Sequence, residues 1–178
     1  YHTDYRPAVE WARFHDWPVI AANIPRPIAS AIARGGLGAL DTLAERRALA
    51  AAESRCTSRG KYFENFGETM RAHVPGDTDS AKAASLDRYY QSQCMKDETM
   101  AESIVQARLR FGPAALIVPL NGAFHSNEGL GTAERVKRRD PDAKLVVITA
   151  IPVANLDDIK PSGNDRKLGD WLVYTLKP

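Results

Sequence analysis

No run in this chain approaches the roughly 18 consecutive apolar residues that a bilayer-spanning helix needs, so the 178 residues hold no transmembrane helix. An excess of one charge is missing too: 24 Lys and Arg stand against 22 Asp and Glu, a formal net charge of +2. The densest basic run, Arg135-Val136-Lys137-Arg138-Arg139, falls near the end of an expected helix, where the dipole favours cations. It reads as a solvated helix end. With no RNA-binding aromatic motif and no zinc-finger spacing, nothing points to a nucleic-acid partner. Internal repeats and low-complexity tracts are absent. Cysteine is scarce, and Cys56 and Cys94 stand too far apart to form a metal-binding pair. From the residues alone they are either buried thiols acting as small hydrophobes or a disulfide tying the loop near Cys56 to a long helix. The second would require an oxidising compartment.

What is present suffices for one domain, residues 1–178, with a sizeable core. Pro7 suits the first turn of a helix over 7–15. Pro18 to Asn23 reads as a short buried strand, ended by Asn23-Ile24-Pro25, and the next helix stops at Gly35-Gly36. Residues 38–53 have the composition of a short surface helix, and 61–73 that of an aromatic-rich one. A long helix, capped by Asp79 or Ser80, should run through Leu109. Further strands are expected at 114–120, 145–150 and 171–176, with a helix over 128–138 and a polar surface loop over 155–170. Short apolar strands alternating with helices predict an α/β fold, a parallel or mixed central sheet flanked by helices, with the four strands side by side.

Two runs carry the chemistry. Tyr89-Tyr90-Gln91-Ser92-Gln93-Cys94-Met95-Lys96-Asp97-Glu98 puts acids and amides on a helix where packing alone would need only leucines. Asn121-Gly122-Ala123-Phe124-His125 follows the apolar stretch 115–120, and the carboxyl end of a strand is where open α/β folds gather ligands. An Asn-Gly turn does not demand a histidine, so His125 is a candidate metal ligand, general base or haem-contacting donor; its plainer role is to cap the next helix or bond a loop carbonyl. Asp97 shares a helix face with Gln93 and could orient His125 or receive a hydrogen bond from the Asn23 turn, or be a surface acid. Glu98 and Glu102 form a neighbouring stripe, most simply solvated. Asn23, Asp97, Asn121 and His125 are expected to converge in one pocket.

The same segments resemble, in the same order, the second half of the ChaN-like haem-binding lipoproteins, which belong with the Tiki proteases, TraB proteins and erythromycin esterases. Tyr5-Arg6-Pro7-Ala8-Val9-Glu10-Trp11-Ala12, Pro18 to Arg26 with its Asn-x-Pro-Arg turn, and Lys61-Tyr62-Phe63-Glu64-Asn65-Phe66 look like further pieces of that pattern. The family opens with a strand carrying a Gly-Glu-x-His type motif. This sequence has none, so the resemblance implies the C-terminal part of a longer polypeptide, an N-terminally incomplete domain whose sheet is left short or pairs with another chain. It also implies a bacterial envelope protein, periplasmic or lipid-anchored to the outer membrane, acting in haem and iron acquisition. A homodimer or larger envelope assembly is implied with it, and the exported setting favours a Cys56–Cys94 bridge.

On this reading the ligand is non-covalent haem, since there is no Cys-x-x-Cys-His for covalent attachment. The cofactor-binding candidates are His125, Asn121, Asp97, Asn23, Tyr62, Tyr89 and Tyr90, with His125 as the metal ligand. A phenolate is a known axial ligand of ferric haem, and each tyrosine is otherwise a packed ring with its hydroxyl near the surface. Met95 and Met100 are read as core, and His2, His15 and His73 as exposed. The rival is a metal-dependent hydrolase of the Tiki or erythromycin-esterase kind, with a divalent ion held by His125 and Asp97. A third option is a non-catalytic subunit that keeps the fold. Turnover is not expected, because hydrolysis would need the absent Glu and His.

Overall fold

Among the described residues five α-helices and two strands follow one another: α1 (Arg6–Phe14), α2 (Arg26–Gly35), α3 (Lys61–Met70), α4 (Asp79–Phe111), α5 (Thr132–Arg139), β1 (Ile148–Val153) and β2 (Trp171–Leu176). The computed structural model describes residues 3, 5–54, 56 and 59–177, with the backbone alone at 43–46. His2 therefore lies outside the described residues, while His15 and His73 are exposed as expected.

α4 organises the molecule. Thr78 starts it, its Oγ1 accepting from Ala81 N at 3.1 Å. Its 33 residues have no single apolar face, because helices pack on it from several sides. Ile28, Ala29 and Ile32 of α2 meet Met95, and Ser92 Oγ donates to Ala29 O at 2.7 Å. Tyr62 and Phe66 of α3 meet Leu86, Tyr90 and Cys94, while Val136 of α5 meets Ala101. Met95 and Met100 are buried core residues, as expected. Residues 37–49 coil in 3-10 turns rather than forming a surface helix, and Leu40, Ala50 and Ala51 at this stretch are buried against α2 and α4. Gly36, at φ 73°, makes the reversal between them, and Leu37 N donates to Gln91 Oε1 at 2.9 Å.

Cys56 and Cys94 form a disulfide, with Cα atoms 5.5 Å apart. It fastens the loop after the 3-10 turns to the middle of α4.

The fold is α/β, and its sheet is parallel, with β1 and β2 paired from Ile148↔Trp171 to Val153↔Leu176. The connection between them, 154–170, is long enough for the crossover that parallel strands require. Pairing begins later than the apolar run at 145 suggests. Gly169 lies against Val147, where a Cβ would stand 2.8 Å from Val147 O, and Asp170 N and Trp171 N both donate to that oxygen. Two expected strands are not in the sheet. Residues 18–23 and 114–120 form no strand and join no ladder among the described residues. Apolar alternation favours extended backbone, while a ladder also needs a neighbouring strand's amides and carbonyls. Leu116, Val118 and Leu120 accordingly stand exposed. No helix among the described residues is long and apolar enough to cross a membrane.

Candidate functional site

Asp97 lies in the most enclosed part of α4, fully buried. A buried carboxylate is tolerated only when its lone pairs are taken, and three other elements supply donors. Tyr62 Oη of α3 donates to Oδ2 at 2.5 Å. Thr132 Oγ1, at the start of α5, donates to Oδ1 at 2.8 Å. His125 Nδ1, in the turn Ala123–His125, lies 2.8 Å from Oδ1. Gln93, one turn earlier on α4, donates to Tyr62 Oη at 3.1 Å, and its Nε2 lies 3.0 Å from His125 Nδ1.

The network selects a tautomer. Nδ1 cannot both donate to Asp97 and accept from Gln93, and the carboxylate is the stronger partner. Nδ1 therefore carries the proton, and in the neutral imidazole the lone pair lies on Nε2. Nε2 makes no hydrogen bond among the described residues, and the side chain is 16% exposed. The arrangement fixes the imidazole ring and leaves Nε2 without a partner among the described residues.

Tyr62 serves this site as a donor to Asp97. Burial, reinforced by the Asp97 carboxylate, pushes its phenol far above the usual tyrosine range. A phenolate there, as entertained for an axial ligand, would place two anions side by side in a buried site. Its ring packs on Phe124 at 6.0 Å and on Tyr90 at 5.9 Å, with the Arg135 guanidinium 5.5 Å from its centre. Tyr90 is buried among Phe63, Phe66 and Tyr62, and Tyr89 is half-buried at the margin of that cluster. These two tyrosines belong to the aromatic packing beside Tyr62.

Gly131 lets the loop close on α3. Its φ is 58°, and a Cβ there would stand 2.5 Å from His125 O and 3.1 Å from Tyr62 Oη. Asn121 joins indirectly, its Oδ1 accepting from Ser126 Oγ at 3.2 Å beside His125. Asn23 does not join. Its Oδ1 accepts from Ile24 N at 2.8 Å, and it lines a separate cavity of about 340 Å³ with Thr99, Glu102, Ser103 and Gln106. Of the four residues expected together, Asp97 and His125 meet directly, Asn121 touches only Ser126 beside them, and Asn23 lies elsewhere.

Glu98 and the basic run of α5 depart from the sequence reading. Glu98 is fully buried, bonded to Arg135 Nε at 3.2 Å and Arg138 Nη2 at 2.6 Å, and paired with Arg139. Burial alone would raise its carboxyl, but Arg138, Arg139 and Arg135 outweigh that and hold it below its ordinary value. Consecutive acids on α4 point to different neighbours because successive helical residues lie about 100° apart. Asp97 meets the His125 loop and α5's first residue, Glu98 the rest of α5. Sequence spacing gave no sign of Thr132, Gly131 or the Glu98 arginines. Among the described residues no three His, Cys, Asp or Glu side chains come together as a metal-ligand set.

These features define an α/β protein with a half-buried histidine held by a buried carboxylate. The family model described as haem-binding uptake, Tiki superfamily, ChaN matches residues 1–136, and the chain belongs to that family. The match runs from α1 into α5 and ends before β1. No curated protein and no solved structure matches the chain.

Proposed function

We propose that this chain binds haem non-covalently and reversibly, without turnover, in haem and iron acquisition at the bacterial envelope. The observation that carries the reading is His125: Nδ1 tied at 2.8 Å to buried Asp97, Nε2 left with a lone pair and no partner among the described residues. Histidines that bind metal almost always donate their other ring N–H to a carboxylate or carbonyl, which fixes the ring and raises its basicity. Ferric haem, when bound, would supply an iron that such a nitrogen can ligate. His125 would hold the iron, with Asp97, Tyr62, Gln93 and Thr132 fixing the imidazole and Asn121 shaping the turn. The exposed Leu116, Val118 and Leu120 lead directly into that turn and suit a flat apolar ligand or the face of a second subunit, which supports a homodimer or larger assembly. The Cys56–Cys94 disulfide supports an oxidising compartment, periplasmic or lipid-anchored at the outer membrane.

The test is a haemin titration of the purified protein, followed by its Soret band, beside the His125→Ala variant. The wild type should show a shifted, saturable band that the variant lacks. One rival has an observation in its favour, since a carboxylate-oriented imidazole is also the arrangement of a general base. No haemin-induced band, together with ester or peptide hydrolysis dependent on an added divalent metal, would favour that hydrolase reading.

A further inference from the structure

The loop that carries His125 is fastened at a residue outside the polar cluster. Glu128 has a left-handed backbone, φ 62° and ψ 18°, which a residue with a Cβ disfavours. Such a conformation persists where the surroundings over-determine it, and functional sites are where it concentrates. Here three contacts hold it. Its carboxylate accepts from Asn65 Nδ2 at 2.9 Å and pairs with Lys61, both on α3, while its backbone N–H donates to Leu168 O at 2.8 Å. The hydrogen bond and charge of Lys61 hold the Glu128 carboxyl below its usual range. Beside it, Asn127 Oδ1 accepts from Thr149 Oγ1 of β1 at 3.1 Å.

Glu128 thus joins α3, the loop and the β1–β2 connection. α3 also supplies Tyr62, the neighbour of Lys61, so one helix holds Asp97 through a phenol and the His125 loop through an ammonium and an amide. Lys61 is 57% exposed, so the ion pair itself adds little to the stability of the fold. Its consequence is geometric. We propose that Glu128 is a positioning residue, a latch that keeps His125 Nδ1 on Asp97. Only its haem arm rests on the function proposed above.

The test uses the full chain as Glu128→Ala, Glu128→Gln and Glu128→Gly, with two readouts. The first is NMR of the His125 imidazole without haem, following the Nδ1–H signal bonded to Asp97. The second is the haemin titration. Glu128→Ala should broaden or shift the Nδ1–H signal and weaken haemin binding by about tenfold, the lower end of the effect of losing a ligand's outer-shell support. Glu128→Gln still accepts from Asn65 and should fall between this variant and the wild type. Glu128→Gly relieves the backbone but lacks the carboxylate, and should behave like Glu128→Ala. Imidazole signals identical to wild type in Glu128→Ala and Glu128→Gln would overturn the latch. If Glu128→Ala does not fold, Glu128→Gln decides. Should the wild type bind no haemin, the functional reading fails, while the imidazole signals still decide the latch.

Discussion

Asp97 Oδ1 and His125 Nδ1 stand 2.8 Å apart although 28 residues separate them in the chain. The contact joins the most enclosed turn of α4 to the half-buried turn before α5 and fixes which imidazole nitrogen faces outward. Replacing Asp97 by Asn keeps the size but removes the charge. It also allows an amide N–H to face Nδ1, which favours the opposite tautomer. Haemin affinity should fall about 10–100-fold, the range for lost outer-shell partners. A Soret titration of Asp97→Asn measures it, and affinity equal to wild type would remove Asp97 from the site.

Tyr62→Phe should cost about 1–3 kcal/mol, because it leaves a buried carboxylate one donor short. The pH dependence has a definite sign. Burial first, then Asp97, raises the phenol in the folded state above its ordinary value of 10.0. The resulting stabilisation is fully present below about pH 10 and is lost as pH rises beyond it. Urea unfolding between neutral pH and pH 11 should decline more steeply for wild type than for Tyr62→Phe. Parallel curves would mean that the phenol is not perturbed.

Glu98→Gln should be among the most destabilising changes in the chain, about 3–5 kcal/mol, because it leaves Arg135 buried without its counter-charge. The folded Glu98 carboxyl sits below the ordinary 4.5, so its contribution is present above that pH and disappears as pH falls through the lower folded value. Chemical denaturation at neutral pH gives the first quantity. Acid titration of unfolding, steeper in wild type than in Glu98→Gln, gives the second.

Reduction of Cys56–Cys94 opens a loop of 38 residues, for which chain entropy gives roughly 3–4 kcal/mol. Unfolding with and without a thiol reductant should differ by that amount. Because Cys94 follows Gln93, reduction should also loosen the amide that contacts Tyr62 and His125. Unchanged stability on verified reduction would show that the loop is held by packing alone.

The sequence by itself determined what depends on neighbouring residues. Pro7 stands in the first turn of a helix, Gly35-Gly36 ends one, and the apolar run at Trp171–Leu176 is a strand, because cap chemistry and side-chain period act within one or two turns. His125 and Asp97 were also legible as a candidate pair, since a histidine after an Asn-Gly turn and an acid in a helix of amides go beyond what packing requires, and the two are in contact. Only the tertiary structure decided which groups meet. Residues 18–23 carry the same apolar signal as β2 yet enter no described ladder, since pairing belongs to two segments and the pattern to one. Glu98 reads like a solvated acid until α5 closes three arginines over it, and Asn23, placed with the site by its turn, faces another cavity. Burial decides each of these outcomes. Whether a charge is solvated or enclosed depends on helices 30 to 40 residues away in the chain, such as Arg138, 40 residues beyond Glu98, a separation that local spacing does not encode.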